Sequence, residues 1–346
     1  MCTLTVSIIV TNYNYARFLG DALDSARAQT RAPLEIIVVD DGSTDDSPRV
    51  IQEYADQIRA LYKSNGGQAS AFNAGFAASV GEIVIFLDAD DVLLPDTLER
   101  VTRAFAQNPN AVKVQWRVEL MSAEGAPINK TIPPAYCRLP NGDLRRRVLT
   151  FPDDVPYPPT SGHAFRRALL EKILPMPEGA YRVCADYYLS NLPPLYGQVV
   201  WLDGIGARYR VHGANHDYSP ALNLERTRQI ITRSIETHRQ IQRVARENNL
   251  PFPADPTAIP SVTFLAHRLV SLKLEPMQHP LKTDRVAALA RAGARAAWGR
   301  FDLPLAQRVV YAAWFLSMAA APTFFCAKTT QYITICRAAH RIEFDG

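Results

Sequence analysis

Cysteine is scarce: Cys2, Cys137, Cys184, Cys326 and Cys336 are the five in 346 residues, an odd number with no CxxC pair. That usage excludes a disulfide framework and a zinc ribbon, and a reducing, cytoplasmic compartment is expected. Neither sign of charge dominates, since 38 Lys and Arg against 34 Asp and Glu leave a net +4. So small a balance excludes a nucleic-acid coat or a disordered charged tail, and no nucleic acid is expected as a partner. The N-terminal apolar run, Val6 to Val10, has no basic lead and no cleavage site, so it does not read as a signal peptide. Neither a GxGxxG nor a Walker A lysine loop follows it, which excludes the dinucleotide and triphosphate fingerprints. What is present, 47% hydrophobic and 21% charged residues, is enough for one large domain or two smaller ones.

Strands and helices alternate through the first part of the chain. Val6 to Thr11 is short and β-branched and ends in the turn-prone Asn12-Tyr13-Asn14. Leu19, Ala22, Leu23 and Ala26 recur at helical spacing. Leu34–Asp40, Ile58–Tyr62 and Ile83–Leu87 read as further strands, with helices opening near Pro48, Gln68 and Pro95. Such alternation predicts an α/β fold whose mostly parallel sheet is covered on both faces.

Ligands of such sheets bind beyond the carboxyl ends of the strands. There the sequence places Thr11 and Asn12, then Asp40 and Asp41, then Asp88, Asp90 and Asp91. Several carboxylates at one sheet edge repel one another unless a cation or sugar hydroxyls satisfy them. Alternate residues of an extended segment share a side, so Asp88-Ala89-Asp90 is expected to turn both carboxylates toward one hard cation, Mn2+ or Mg2+. An isolated Asp-x-Asp is commonly a solvated turn or a helix cap. The coincidence of these motifs at successive strand ends is what argues for a site.

The segments Ser7-Ile8-Ile9-Val10-Thr11-Asn12-Tyr13-Asn14, Val38-Val39-Asp40-Asp41-Gly42-Ser43-Thr44-Asp45, Asn65-Gly66-Gly67, Asn73-Ala74-Gly75 and Leu87-Asp88-Ala89-Asp90-Asp91 together resemble the family 2 glycosyltransferases. The resemblance resumes at Thr160-Ser161-Gly162, Ala185-Asp186-Tyr187 and Tyr209-Arg210-Val211-His212-Gly213-Ala214-Asn215. It implies the GT-A fold, a Rossmann-like nucleotide-diphospho-sugar transferase domain, and an inverting enzyme that uses a nucleoside-diphosphate sugar, with UDP-sugars favoured. The donor would meet Thr11, Asn12, Tyr13, Asp41, Asn65, Gln68, Asn73, Asp88, Ala89 and Arg210. Within that set Thr11 and Asp41 would hold the base, and Asp88 the ribose or a water on the cation. Asp90 would bind the cation bridging the phosphates, with His212 completing its shell. Asp186 would be the general base, although Ala185 stands where the family often has an acid. Asp153, Asp154 and Asp203 are weaker competitors in Pro-rich or turn-like surroundings.

On this reading residues 1–220 form the transferase domain, 1–110 its nucleotide-sugar half and 111–220 its acceptor half. Residues 221–346 form a helical extension. The acceptor would be a saccharide or a lipid-linked group in surface polysaccharide or glycolipid synthesis, and the Arg145-Arg146-Arg147 run would suit an anionic one. Leu281 to Arg300 is basic and amphipathic, and 19 uncharged residues follow it, from Val309 to Ala327, interrupted by Pro322. That stretch is short for a span. A peripheral contact at the inner face of the cell membrane, or a homodimer through these helices, fits it better. Two other function classes suit parts of the pattern, a nucleotide-sugar-binding module without catalysis and a sugar nucleotidyltransferase. The second needs a basic Gly-rich loop that Thr11 to Asn14 does not supply.

Overall fold

The computed structural model describes residues 4–137, 139–213, 222–300, 303–323 and 326–327. The chain divides into two compact units, Met1–Arg145 with Pro156–Asn215, and Arg146–Val155 with His216–Gly346.

The first unit is built on one nine-stranded sheet. In chain order it contains β1 (Val6–Asn12), α1 (Ala16–Arg27), β2 (Glu35–Asp40), α2 (Ser47–Glu53), β3 (Arg59–Tyr62), α3 (Gln68–Ala78), β4 (Ile83–Asp88), β5 (Val92–Leu93) and α4 (Thr97–Gln107). Then come β6 (Ala111–Met121), β7 (Pro127–Ile132), β8 (His163–Arg166), α6 (Arg167–Ile173), α7 (Asp186–Asn191) and β9 (Gln198–Arg210). A further helix, α5 (Arg145–Thr150), begins where the chain passes into the second unit.

Strand order is β3-β2-β1-β4-β8-β6-β9-β5, with β7 on the side of β6. The β3-β2-β1-β4 portion is parallel throughout, as the alternation of strand and helix requires. Beyond β4 the sheet is mixed: β8 runs antiparallel to both β4 and β6, while β6 and β9 pair in parallel. The α/β class and the helical C-terminal region expected from the sequence are the observed ones.

One face of the sheet buries Ile8, Val10, Ile83, Ile85 and Leu87 in a cluster with Leu19, Leu23, Leu98, Val101 and Phe105 of α1 and α4. On the other face α3 sits so close that a Cβ on Gly75 would lie 2.3 Å from Ile9 Cγ2 and 3.1 Å from Val39 Cγ2. Only glycine permits that approach, and it brings the N-terminal end of α3 over the ends of the strands.

The second unit contains α8 (Leu224–Glu247), α9 (Val262–Leu274), α10 (Val286–Gly299) and α11 (Leu305–Ala320). Asn223 and Ser261 cap α8 and α9 by accepting from Arg226 N–H and Phe264 N–H. Its core joins Leu265, Leu269, Leu289, Trp314 and Phe315. The uncharged stretch from Val309 does not continue as one helix: α11 ends at Ala320, ahead of Pro322. Among the described residues no helix is long and apolar enough to cross a membrane.

Candidate active site

The register of the parallel strands aligns their carboxyl ends. Thr11 of β1 lies opposite Asp88 of β4, and Asn12 opposite Asp40 of β2. Asp40 is buried and organises the turn that follows it, accepting from Asn12 Nδ2 (2.9 Å) and from the N–H groups of Gly42 (3.1 Å) and Ser43 (2.8 Å). Asn12 therefore shapes this turn with its amide nitrogen, while its Oδ1 is buried without a partner. Asp41 turns the other way. It accepts from Lys63 Nζ (2.6 Å) and from the N–H groups of Gly66 (3.0 Å) and Gly67 (2.6 Å), closing the 63–67 loop against the strand ends. Tyr13 is exposed, and Ala89 is buried with its N–H donating to Thr11 O (3.2 Å).

Asp88 to Asp91 differ from the expected extended segment. Asp91 N–H donates to Asp88 O (3.0 Å), so the stretch is a tight turn and the alternation that would aim Asp88 and Asp90 alike does not exist. Each carboxylate instead has its own partners. Asp91, fully buried, accepts from Ser161 Oγ (2.6 Å) and Arg210 N–H (3.0 Å). Asp88 accepts from Gln68 Nε2 (3.2 Å), and Asp90 Oδ2 lies 3.0 Å from His212 Nε2. Burial first, then repulsion from Asp90 and Asp186, pushes the Asp88 carboxyl up to about 8. Burial followed by Asp90 and Asp88 raises Asp91 well above the usual carboxylate range. Tyr15 is raised by burial and then by the same three carboxylates. These shifts come first from burial and then from mutual repulsion of the carboxylates gathered at the strand ends.

The strand β9 supplies the opposite wall. His212 packs against Tyr15 and Phe18, with ring centroids at 5.5 and 5.0 Å, and this fixes its imidazole beside Asp90. Arg210, expected to meet the donor, is held within the fold. It is 2% exposed, and its guanidinium donates to Asp90 O (2.9 Å), Ala123 O (2.9 Å) and Asp21 Oδ2 (2.7 Å) over the Phe18 ring. It braces the Asp88–Asp91 turn from behind.

Gln68 links the end of β4 to segments far along the chain. Its Nε2 donates to Asp88 and to Thr160 Oγ1 (3.3 Å), while its Oε1 accepts from Ala185 N–H (2.8 Å). Gly67, with φ +88°, leaves room for Arg182, whose carbonyl accepts from Gln68 N–H (2.8 Å). These bonds bring Asp186, the first residue of α7, into electrostatic reach of Asp88. Asn65 accepts from Arg182 at the rim.

Asn73 is engaged elsewhere: its amide exchanges hydrogen bonds with the backbone of Met176 (3.0 and 2.9 Å) and donates to Glu178 Oε1 (3.1 Å), so it anchors the 176–178 loop. Asp153 and Asp154 belong to the helical unit. There Asp153 Oδ2 lies 2.8 Å from His238 Nε2, and Asp154 accepts from the first N–H groups of α9, at Val262 (2.9 Å) and Thr263 (3.1 Å). Asp203 is exposed on β9.

Four residues near this site have no sequence signal of their own: Lys63 on Asp41, Ser161 on Asp91, Arg182 on Asn65, and Lys113 inside the sheet. Ser161 lies within a quoted motif but carries no role there. Among the described residues no three His, Cys, Asp or Glu side chains are placed to hold a metal, so Asp90 and His212 stand as a pair.

The model of glycosyl transferase family 2 matches residues 7–174. An uncharacterized glycosyltransferase of Nostoc sp. is 42% identical over 224 residues, 63% of this chain and 68% of the relative. The uncharacterized glycosyltransferase EpsJ of Bacillus subtilis is 39% identical over 106 residues, 30% of this chain and 31% of the relative. Among solved structures, S. aureus TarS 1-349 in complex with UDP-GlcNAc superposes with a TM-score of 0.56 at 18% identity, covering 99% of this chain and 94% of that one. This likeness identifies the sheet and its helices as a GT-A fold. The family match over the strand-end motifs and the Nostoc relative show that this chain is an enzyme belonging to glycosyl transferase family 2.

Proposed function

We propose that this enzyme moves a sugar from a nucleoside-diphosphate sugar to an acceptor hydroxyl by one in-line displacement with inversion. The observation that supports this reading is the Gln68 bridge, which ties Asp88 to the backbone at Ala185, one residue ahead of Asp186. The acceptor hydroxyl gives its proton to the Asp186 carboxylate as its oxygen bonds to the anomeric carbon. The bond from that carbon to the diphosphate oxygen breaks, and the nucleoside diphosphate leaves with the electron pair.

The strand ends fit a divalent cation: an oxygen and a nitrogen donor are paired, and the neighbouring buried carboxyls repel one another, which a bound cation would relieve. Asp90 and His212 would hold the ion, the phosphates and water furnishing its remaining ligands. When bound, Mn2+ or Mg2+ neutralises charge on the departing diphosphate. TarS, which shares the fold, is seen with UDP-GlcNAc, so UDP-sugars lead a donor panel that also includes GDP- and dTDP-sugars.

A saccharide or lipid-linked acceptor in surface polysaccharide or glycolipid synthesis suits the exposed face of α11. There Leu305, Val309, Val310 and Leu316 carry no charge, and the same unit exposes Arg291, Arg295 and Trp298 on α10. Apolar and basic surface of this kind favours peripheral contact with an anionic bilayer.

Asp186→Asn tests the chemistry, because it keeps the shape and a hydrogen-bonding oxygen but takes no proton near neutral pH. Donor affinity with Mn2+ should match the parent while turnover falls by roughly two to four orders of magnitude. Near-normal turnover, or a trapped product of retained configuration, would overturn the reading.

A further inference from the structure

Gln68 stands in the set expected to meet the donor, yet its side chain is spent on the protein itself. A primary amide offers two N–H donors and one carbonyl oxygen. Nε2 faces two acceptors, Asp88 Oδ1 at 3.2 Å and Thr160 Oγ1 at 3.3 Å, and Oε1 faces the Ala185 N–H at 2.8 Å. The reversed amide would set N–H against N–H at Ala185 and carbonyl against carboxylate at Asp88, so one orientation alone satisfies these partners. Both N–H groups are therefore taken, and none is left for a phosphate or a sugar oxygen.

What Oε1 holds is the entry to α7. Ala185 is 0% exposed, so its N–H depends on the acceptor that Gln68 supplies. The carbonyl of the same residue accepts from Tyr188 N–H (3.1 Å) and Leu189 N–H (3.4 Å), the first bonds of the helix. Ala185 is thereby fixed at both of its backbone polar groups, and the next residue along is Asp186, the first of α7. The main chain at the start of α3 grips the same segment: Gln68 N–H donates to Arg182 O (2.8 Å), and Ala69 N–H to Tyr181 O (3.3 Å). Between the two grips lies Cys184 with φ +59°, a left-handed conformation that a residue with a side chain seldom adopts. Such a residue persists where its surroundings over-determine it, and the bonds from Gln68 on either side do so here.

We propose that Gln68 is a positioning residue for Asp186 and not a ligand of the donor: its amide fixes the start of α7 against the Asp88 end of β4, and so sets where the carboxylate that takes the acceptor's proton stands. This role rests on the reading of Asp186 as general base. In-line displacement depends on where the base and the acceptor oxygen lie relative to the anomeric carbon, and a misplacement of about 1 Å there costs on the order of a hundredfold in rate. One side chain bonded at both ends is a short link for imposing that placement from the strand that meets the donor.

The test measures nucleoside diphosphate release from the best donor of the UDP-, GDP- and dTDP-sugar panel, with Mn2+ and with water as acceptor, in the full chain. Gln68→Met keeps the length of the side chain and removes both ends of the bridge. Gln68→Asn runs alongside, with an amide too short to reach both partners. Each should lower kcat roughly ten- to a hundredfold, while donor KM and Mn2+-dependent donor binding by calorimetry stay within about twofold of the parent's. The melting temperature should fall by a few degrees with the transition still cooperative, because the Ala185 N–H loses its acceptor. Adding Gln68→Met to Asp186→Asn should change kcat by no more than about twofold beyond Asp186→Asn alone, since a residue that acts through another has nothing left to act on. Donor binding weakened roughly tenfold with kcat retained would make Gln68 a donor ligand and overturn its positioning role. Additive losses in the double variant, or a parent-like kcat in both Gln68 variants while Asp186→Asn is impaired, overturn that role and leave the base reading standing. Normal turnover in Asp186→Asn overturns the base reading, and the role of Gln68 with it.

Discussion

Adjacent residues of one type do different work here because their side chains leave the chain in different directions. Asp40 ties its own turn together through Asn12 and two N–H groups, whereas Asp41 closes the 63–67 loop with Lys63. Asp91 is a buried strut, whereas Asp90 reaches His212. The contrast makes Asp90 the informative residue to change. Asp90→Ala leaves the bonds of Asp88 and Asp91 in place and removes a repelling charge, so the melting temperature should hold or rise slightly. Turnover that depends on Mn2+ should be lost, and calorimetric titration with UDP plus Mn2+ should show weakened binding. Full activity of this variant, or of the parent in EDTA, would sink the proposed cation role.

Elements place these side chains. The Gly75 approach of α3 to β1 and β2 sets the height of Gln68 above the strand ends, and Gln68 then couples Asp88 to the start of α7. A motif such as Asn73-Ala74-Gly75 thus serves placement as much as ligand contact. In the second unit α11 buries Tyr311, Trp314, Phe315 and Met318 and exposes an uncharged face on its opposite side. Substituting Leu316→Glu with Val309→Glu places charge only on that face and spares the buried one. Co-sedimentation with vesicles rich in anionic lipid should then fall at least severalfold, while the melting temperature stays near the parent's. Unchanged vesicle binding, or a parental dimer that the substitutions dissolve, would assign the face to protein contact instead.

At the scale of the molecule, burial of histidine ties stability to pH. His267 of α9 donates from Nδ1 to Thr263 O (2.8 Å), its Nε2 is buried without a partner, and burial lowers it to about 4. His163 in the first unit is depressed in the same direction. With a folded pKa below the unfolded one, His267 binds more protons in the unfolded chain between those two values. Its contribution is therefore intact above the unfolded pKa near 6.5 and is lost as pH falls toward 4. For this one group the loss is on the order of 3 kcal/mol. Denaturant unfolding followed from pH 7 to pH 4 should show this decline, and His267→Gln should make it shallower. A parallel decline in His267→Gln would remove His267 as its source.

The sequence by itself determined the parallel half of the sheet, because alternating apolar strands and amphipathic helices leave few other ways to bury both faces. It also determined which strand ends carry carboxylates, since a residue's place along a strand follows from the pattern of its neighbours. It did not determine what each carboxylate touches. The Asp88–Asp91 turn, the burial of Arg210 beneath it and the anchoring of Met176 by Asn73 all depend on segments distant in the chain. Lys113 is the clearest case. Val112-Lys113-Val114-Gln115 alternates like a strand with one face in water, and only tertiary packing covers that face and buries the lysine, driving it well below the usual lysine range. Local pattern is set by the covalent order and period of the chain, whereas electrostatic environment is set by what folds over it.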